Sequence, residues 1–180
     1  MRQKIRVCIV LEGSYPFITG GVSAWVHDLI VNLPEVEFAL YTISPEADQE
    51  LRYELPQNVV DHRDIVLSTT PVGGKLPHRK HVLSQIDDIH AKMFSGRDAD
   101  LTKLFSSMPE ECYLHSAAVR SDPGWKLITD MNSKRNPLYP FTDYFWAWKS
   151  AHDMLFATLG STPPPADIYH AVSTGFAGIA

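Results

Sequence analysis

Lys4 to Val10 reads K-I-R-V-C-I-V, Gly20-Gly21 precede a run of spaced apolar residues, and Glu37 to Ile43 reads E-F-A-L-Y-T-I. The first stretch is rich in β-branched residues and ends against Gly13, the pattern of a short buried strand feeding a loop. Val22, Trp25, Val26, Leu29, Ile30 and Leu33 then recur at helical spacing until Pro34 closes the pattern, which predicts an amphipathic helix. Glu37 to Ile43 is a second strand. Strand, glycine-containing loop, helix and strand in that order form the βαβ unit of a parallel sheet, with a right-handed crossover as the default. The expected fold class is α/β, a Rossmann-like parallel sheet with flanking helices.

Further along, Asn58 to Thr69 carries a third strand, placed around Ile65 to Ser68, and the Pro and Gly content of Thr70 to Pro77 marks a loop. Val82, Ile86, Ile89 and Met93 predict a helix from His78 to about Phe94, and weaker helical patterns continue to Met131. Arg79 to Asn132 therefore reads as a mostly helical insertion. Asp143 to Leu159 is a long apolar helix whose Tyr144, Phe145, Trp146 and Trp148 fit core packing better than sugar stacking. The breaker S-T-P-P-P at 161–165 separates it from a strand at Ala166 to Ala171. A fresh apolar run then reaches Ala180 without a capping glycine or polar tail, so the expectation is one domain cut from a larger fold.

Composition narrows the partners. The chain has 180 residues, 44% hydrophobic and 21% charged, with a net charge of -5 and a pI of about 5.9. Acids and bases are interspersed, which leaves no basic footprint for nucleic acid. The apolar run from Val7 to Leu11 is cut by Glu12 and Gly13, too short for a signal-peptide core, and no stretch approaches a membrane span. A cytoplasmic location is expected. Cys8 and Cys112 lack disulfide or metal-type spacing, and His78, His81 and His90 lack a zinc-type pairing with an acid, so no metal site is expected.

Gly20-Gly21 is the leading candidate site, because glycine lets an anion approach the backbone amides at a helix start. The alternative is a pair of glycines that only shapes a turn. The spacing from Gly13 to Gly20 does not match G-x-G-x-x-G, and no lysine-bearing phosphate loop is present, which argues against an NAD-dependent oxidoreductase. His170 lies at the carboxyl end of a predicted parallel strand, where open sheets hold ligands, although a histidine there is more often a structural hydrogen-bonding group. Ser173 and Thr174 read as caps of a following helix, and Gly175 as a point of close ligand approach. Glu12 and Tyr15 are placed in the first strand-to-helix loop as candidate contacts to an acceptor sugar, with solvated loop residues as the default alternative.

The run L-E-G-S-Y-P-F-I-T-G-G-V-S-A-W from Leu11 to Trp25, continued to Ile30, resembles the amino-terminal signature of PelF-type glycosyltransferases of Pel exopolysaccharide synthesis. A-D-I-Y-H-A-V-S-T-G, from Ala166 to Gly175, resembles the strand-and-turn motif of the same group. This resemblance implies a retaining enzyme of glycosyltransferase family four. The chain would be the amino-terminal half of a GT-B fold, binding mainly the acceptor, with the UDP part of the donor held by a carboxy-terminal domain. Gly20 and Gly21 would lie against the donor diphosphate, His170 near the transferred sugar as the catalytic residue, and Glu12, Tyr15 and Gly175 against acceptor or sugar. No cofactor and no metal are implied. The expected partners are a UDP-sugar, a polysaccharide acceptor and a membrane-bound exopolysaccharide synthesis complex. The competing expectation is a non-catalytic Rossmann-like binding or assembly module.

Overall fold

The computed structural model describes residues 4–67, 79–100, 121–135, 138–159, 161–173 and 175–178. The chain divides into two compact units: residues 1–69 with 161–180, and residues 70–160. The second unit is wider than the insertion read from the sequence, because the long aromatic helix groups with it. The segments 68–78 and 101–120, which include the predicted 70–77 loop and Cys112, lie outside the described residues.

The first unit is built on four parallel strands in the order β3-β2-β1-β4, where β1 is Arg6–Glu12, β2 Glu37–Ser44, β3 Val59–Val66 and β4 Ile168–Ala171. Helix α1, Gly21–Val31, crosses from β1 to β2. Alternation along the strands puts Ile9 and Leu11 of β1 with Phe38 and Leu40 of β2 on one face, where Val26 and Ile30 of α1 cover them. Cys8, Val10, Tyr41 and Ile43 are buried on the opposite face. Strands buried on both faces explain why β1 and β2 read as continuous apolar runs. Asn58, just before β3, donates its side-chain amide to the carbonyls of Ile30 (2.9 Å) and Leu33 (3.0 Å), a second donor for helix-end acceptors that also take the backbone amides of Leu33 and Val36.

Two boundaries differ from the sequence reading for physical reasons. The first strand runs on to Glu12, so Glu12 is the last strand residue and not a loop residue. β3 starts at Val59 rather than near Ile65. Asp61, His62, Arg63 and Asp64 hide it from a hydrophobic pattern, and it is tolerated because β3 is an edge strand with half-exposed faces.

The second unit is helical. Among its described residues, α2 (Arg79–Phe94), α3 (Asp122–Arg135) and α4 (Phe141–Leu159) bury Val82, Ile86, Ile128, Met131 and Trp148 in one core. Tyr144 and Phe145 pack against that core, whereas Trp146 faces solvent. No helix among the described residues is long and apolar enough to cross a membrane.

Candidate functional site at the carboxyl edge of the sheet

Strand order reverses between β1 and β4, the place where open parallel sheets leave a crevice for ligands. A crevice of about 300 Å³ lies there, bounded by Glu12 and Gly13 at the end of β1, Gly20 and Gly21 at the start of α1, and Val172 and Ser173 after β4. Gly13 makes the turn out of β1 with a left-handed φ of 54° and donates its amide to the Ile43 carbonyl at 3.2 Å. The loop then folds on itself, with the amides of Phe17 and Ile18 both donating to the Ser14 carbonyl.

At the helix start, Gly20 is extended and supplies no side-chain cap, and the first helical hydrogen bond runs from the Ala24 amide to the Gly20 carbonyl at 2.9 Å. The amides ahead of Ala24 are therefore outside the helical ladder, with about half a positive charge gathered at that end. A Cβ placed at Gly20 or Gly21 would meet nothing within 4 Å, so both glycines border open space. Among the described residues the lining carries one carboxylate, Glu12, and no Lys or Arg.

The remaining expected site residues separate. A Cβ at Gly175 would lie 2.5 Å from Glu12 Oε2, which ties the turn after β4 to the end of β1. His170 pairs in register with Ile9 and stands on the α1 side of exposed β4, its ring 6.0 Å from that of Trp25. It is not among the residues lining the crevice. Tyr15 is elsewhere altogether: its side chain is 0% exposed, packs on Tyr53, and its hydroxyl lies 3.3 Å from His27 Nδ1. Burial pushes its phenol up to about 12, so it is a neutral core residue and offers no ring face to a sugar. The loop enters the core through Tyr15 because the ring fills space between β1, α1 and the segment around Tyr53. Trp25 and Val22, expected in the buried stripe of α1, are instead about half exposed.

A second polar group at the same edge escaped the sequence reading. Thr42 and Ser44 of β2 are both 2% exposed, and both hydroxyls donate to Asp64 Oδ1 on β3, at 2.5 and 2.7 Å. His62 Nε2 lies 3.0 Å from Thr42 Oγ1. Its pKa is lowered, chiefly by burial, with Asp64 and Asp61 opposing. The only linear signal was a pair of i, i+2 spacings, Thr42 with Ser44 and His62 with Asp64, which put each pair on one face of its strand.

A family described as a domain of unknown function, DUF3492, matches residues 5–180. The chain belongs to that family. No curated protein and no solved structure matches the chain. For this DUF3492 domain the match spans both units, so sheet and helical unit are parts of one family architecture. Among its described residues no group of three or more His, Cys, Asp or Glu side chains could hold a metal ion.

Proposed function

We propose that the chain is the acceptor-side domain of a cytoplasmic glycosyltransferase that moves a hexosyl unit from a UDP-sugar to a growing exopolysaccharide. The observation that carries this reading is the crevice at the strand-order reversal, opened by Gly20-Gly21 at an uncapped helix start. It coincides with the stretch that resembles the PelF-type signature. In glycosyl transfer the departing nucleoside diphosphate gains negative charge, and amides fixed in advance toward it stabilise the transition state. A helix end contributes on the order of 0.3–2 kcal/mol, whereas enzymatic acceleration requires roughly 8 kcal/mol or more. With no basic side chain among the described lining residues, the rest of the charge stabilisation falls to a second, donor-holding domain. In this reading His170 and Trp25 flank the transferred sugar from β4 and α1, and Glu12 accepts from its hydroxyls. The enzyme would work beside a membrane-bound polysaccharide synthesis complex.

The same lack of basic side chains favours one alternative, a non-catalytic module that binds neutral saccharide. Gly21→Val in the enzyme containing this domain separates the two. The new side chain enters open space, so folding should persist while UDP-sugar turnover drops by more than an order of magnitude. Turnover at the wild-type rate would remove the phosphate assignment, and absence of turnover in the unmodified enzyme would leave the binding module.

A further inference from the structure

Asp64 is an exposed carboxylate that accepts from two buried hydroxyls. Both bonds from Thr42 and Ser44 end on Oδ1, and among the described residues Oδ2 has no hydrogen-bond partner and the carboxylate no ion pair. Thr42 has a single proton, and its shortest contact directs it to Asp64 at 2.5 Å rather than to the Arg63 carbonyl at 3.4 Å. Toward His62 the same oxygen is then an acceptor, so His62 donates through Nε2–H. Asp64, Thr42 and His62 thus form a directed chain of donors ending on one carboxylate oxygen. The Phe17 ring, from the loop that also borders the crevice, lies 5.8 Å from the His62 ring, tilted by 38°.

Asp64 lies in register with Thr42, so its place on β3 is set by the two hydroxyls that donate to it. It is also two residues from the carboxyl end of its strand, at the edge where open parallel sheets hold ligands, beside the half-buried Phe17 ring. A fixed carboxylate oxygen next to an aromatic face suits the two surfaces of a sugar ring, hydroxyls on its edge and C–H groups on its face. The missing countercharge disfavours phosphate, and a single carboxylate is too few oxygen ligands for a divalent cation.

We propose that Asp64, oriented by Thr42 and Ser44 and flanked by Phe17 and His62, is a hydroxyl-recognition subsite for a neutral saccharide chain. It deepens the acceptor-side reading but does not depend on any transfer activity. In that setting the loop from Gly13 to Gly20 divides two stations on one edge, the crevice for the reacting sugar and the Asp64 subsite for a more distant unit of the acceptor. Asp64 is a binding residue, Thr42 and Ser44 are positioning residues, and no bond is made or broken here.

The test is a titration of the whole 180-residue chain with maltohexaose and with an N-acetylglucosamine pentamer, followed by backbone amide NMR. At least one probe should shift the amides of Phe17, Ser44 and Asp64. Asp64→Asn keeps an oxygen for the two hydroxyls and should fold, yet lose about tenfold or more in affinity, the loss expected on removing a hydrogen bond to a charged group. Phe17→Ala supplies an independent reading and should also weaken binding. Saccharide binding unaffected by either variant, binding of spermine instead of saccharide, or no shifts with either probe would overturn the subsite. Failure of the transferase reading looks different: the enzyme would lack UDP-sugar turnover while Asp64-dependent saccharide binding remained.

Discussion

The two units handle buried polar groups in opposite ways. In the sheet unit they collect at one edge, where Thr42 and Ser44 donate hydrogen bonds to the exposed Asp64 and the amides of α1 open onto a crevice. In the helical unit a polar pair sits inside the packing. His152, only 7% exposed, lies on α4 with Nδ1 2.7 Å from the Trp148 carbonyl, and its Nε2 is 2.8 Å from Nε2 of His90 on α2. A carbonyl only accepts, so His152 donates from Nδ1 and its Nε2 must accept from His90. Parallel strands end in register and expose their polar ends to a common edge, whereas packed helices meet along their sides and enclose whatever lies between. The sheet unit therefore brings its polar groups to an open edge, and the helical unit encloses this pair within its packing.

The largest effect that sharpens this contrast is a truncation inside the sheet. Ile9 is 0% exposed between β2 and α1, and Ile9→Ala should cost about 2–5 kcal/mol in denaturant unfolding. Trp25, next to His170 at the crevice end of α1, is 48% exposed, and Trp25→Ala should cost far less despite removing more atoms. If the tryptophan proved the costlier of the two, the α1 face over β4 would be structural core and not an open flank.

The next effect is the pH dependence that His152 gives the helical unit. Burial lowers the His152 pKa to about 4 from an ordinary 6.5, and His90 adds to the lowering while the Trp148 carbonyl opposes it. The folded side chain resists protonation, so between those values the unfolded chain binds the extra proton. Stability is then complete above about pH 6.5 and falls as pH drops toward 4, by about 3 kcal/mol in all. Three of the four tryptophans, Trp125, Trp146 and Trp148, belong to this unit, so their fluorescence in a Trp25→Phe background follows it selectively. His152→Gln should flatten the pH profile relative to the parent. A profile of equal slope in both would mean that the imidazole charges without opposition.

How far the sequence disclosed this contrast follows from how each part is built. β1, α1 and β2 were legible because strands buried on both faces leave continuous apolar runs and an amphipathic helix leaves a periodic one. Glu12, Gly20 and Gly21 were legible as neighbours because the fold rule for strand-order reversal predicts where such a loop ends. Tyr15 was misplaced because one residue of a loop can turn into the core without any periodic mark. Asp64 was invisible because its partners are on another strand, and the polar run around it masked β3 itself. The His90–His152 pair was unreadable for the same reason, being joined only by helix packing.

The smallest effect compares one glycine from each unit. Gly13, leaving β1, and Gly96, just past α2, are left-handed at φ 54° and 65°, and a Cβ at either would meet nothing within 4 Å. At Gly96 the conformation lets its amide donate to the Met93 carbonyl and that of Arg97 to the Lys92 carbonyl, closing the helix end. At Gly13 it directs the chain from the sheet toward the crevice. Since neither position is crowded, alanine at each carries only the backbone penalty, about 1–2 kcal/mol in its own unit. Asparagine, which tolerates the left-handed region, should recover part of it at both positions. Equal losses in thermal unfolding would show that the two turns are energetically alike and differ only in what they border. A much larger loss at Gly13 would mean that the loop around Tyr15 transmits the strain into the core, and the crevice would then be more tightly coupled to the sheet than an open edge requires.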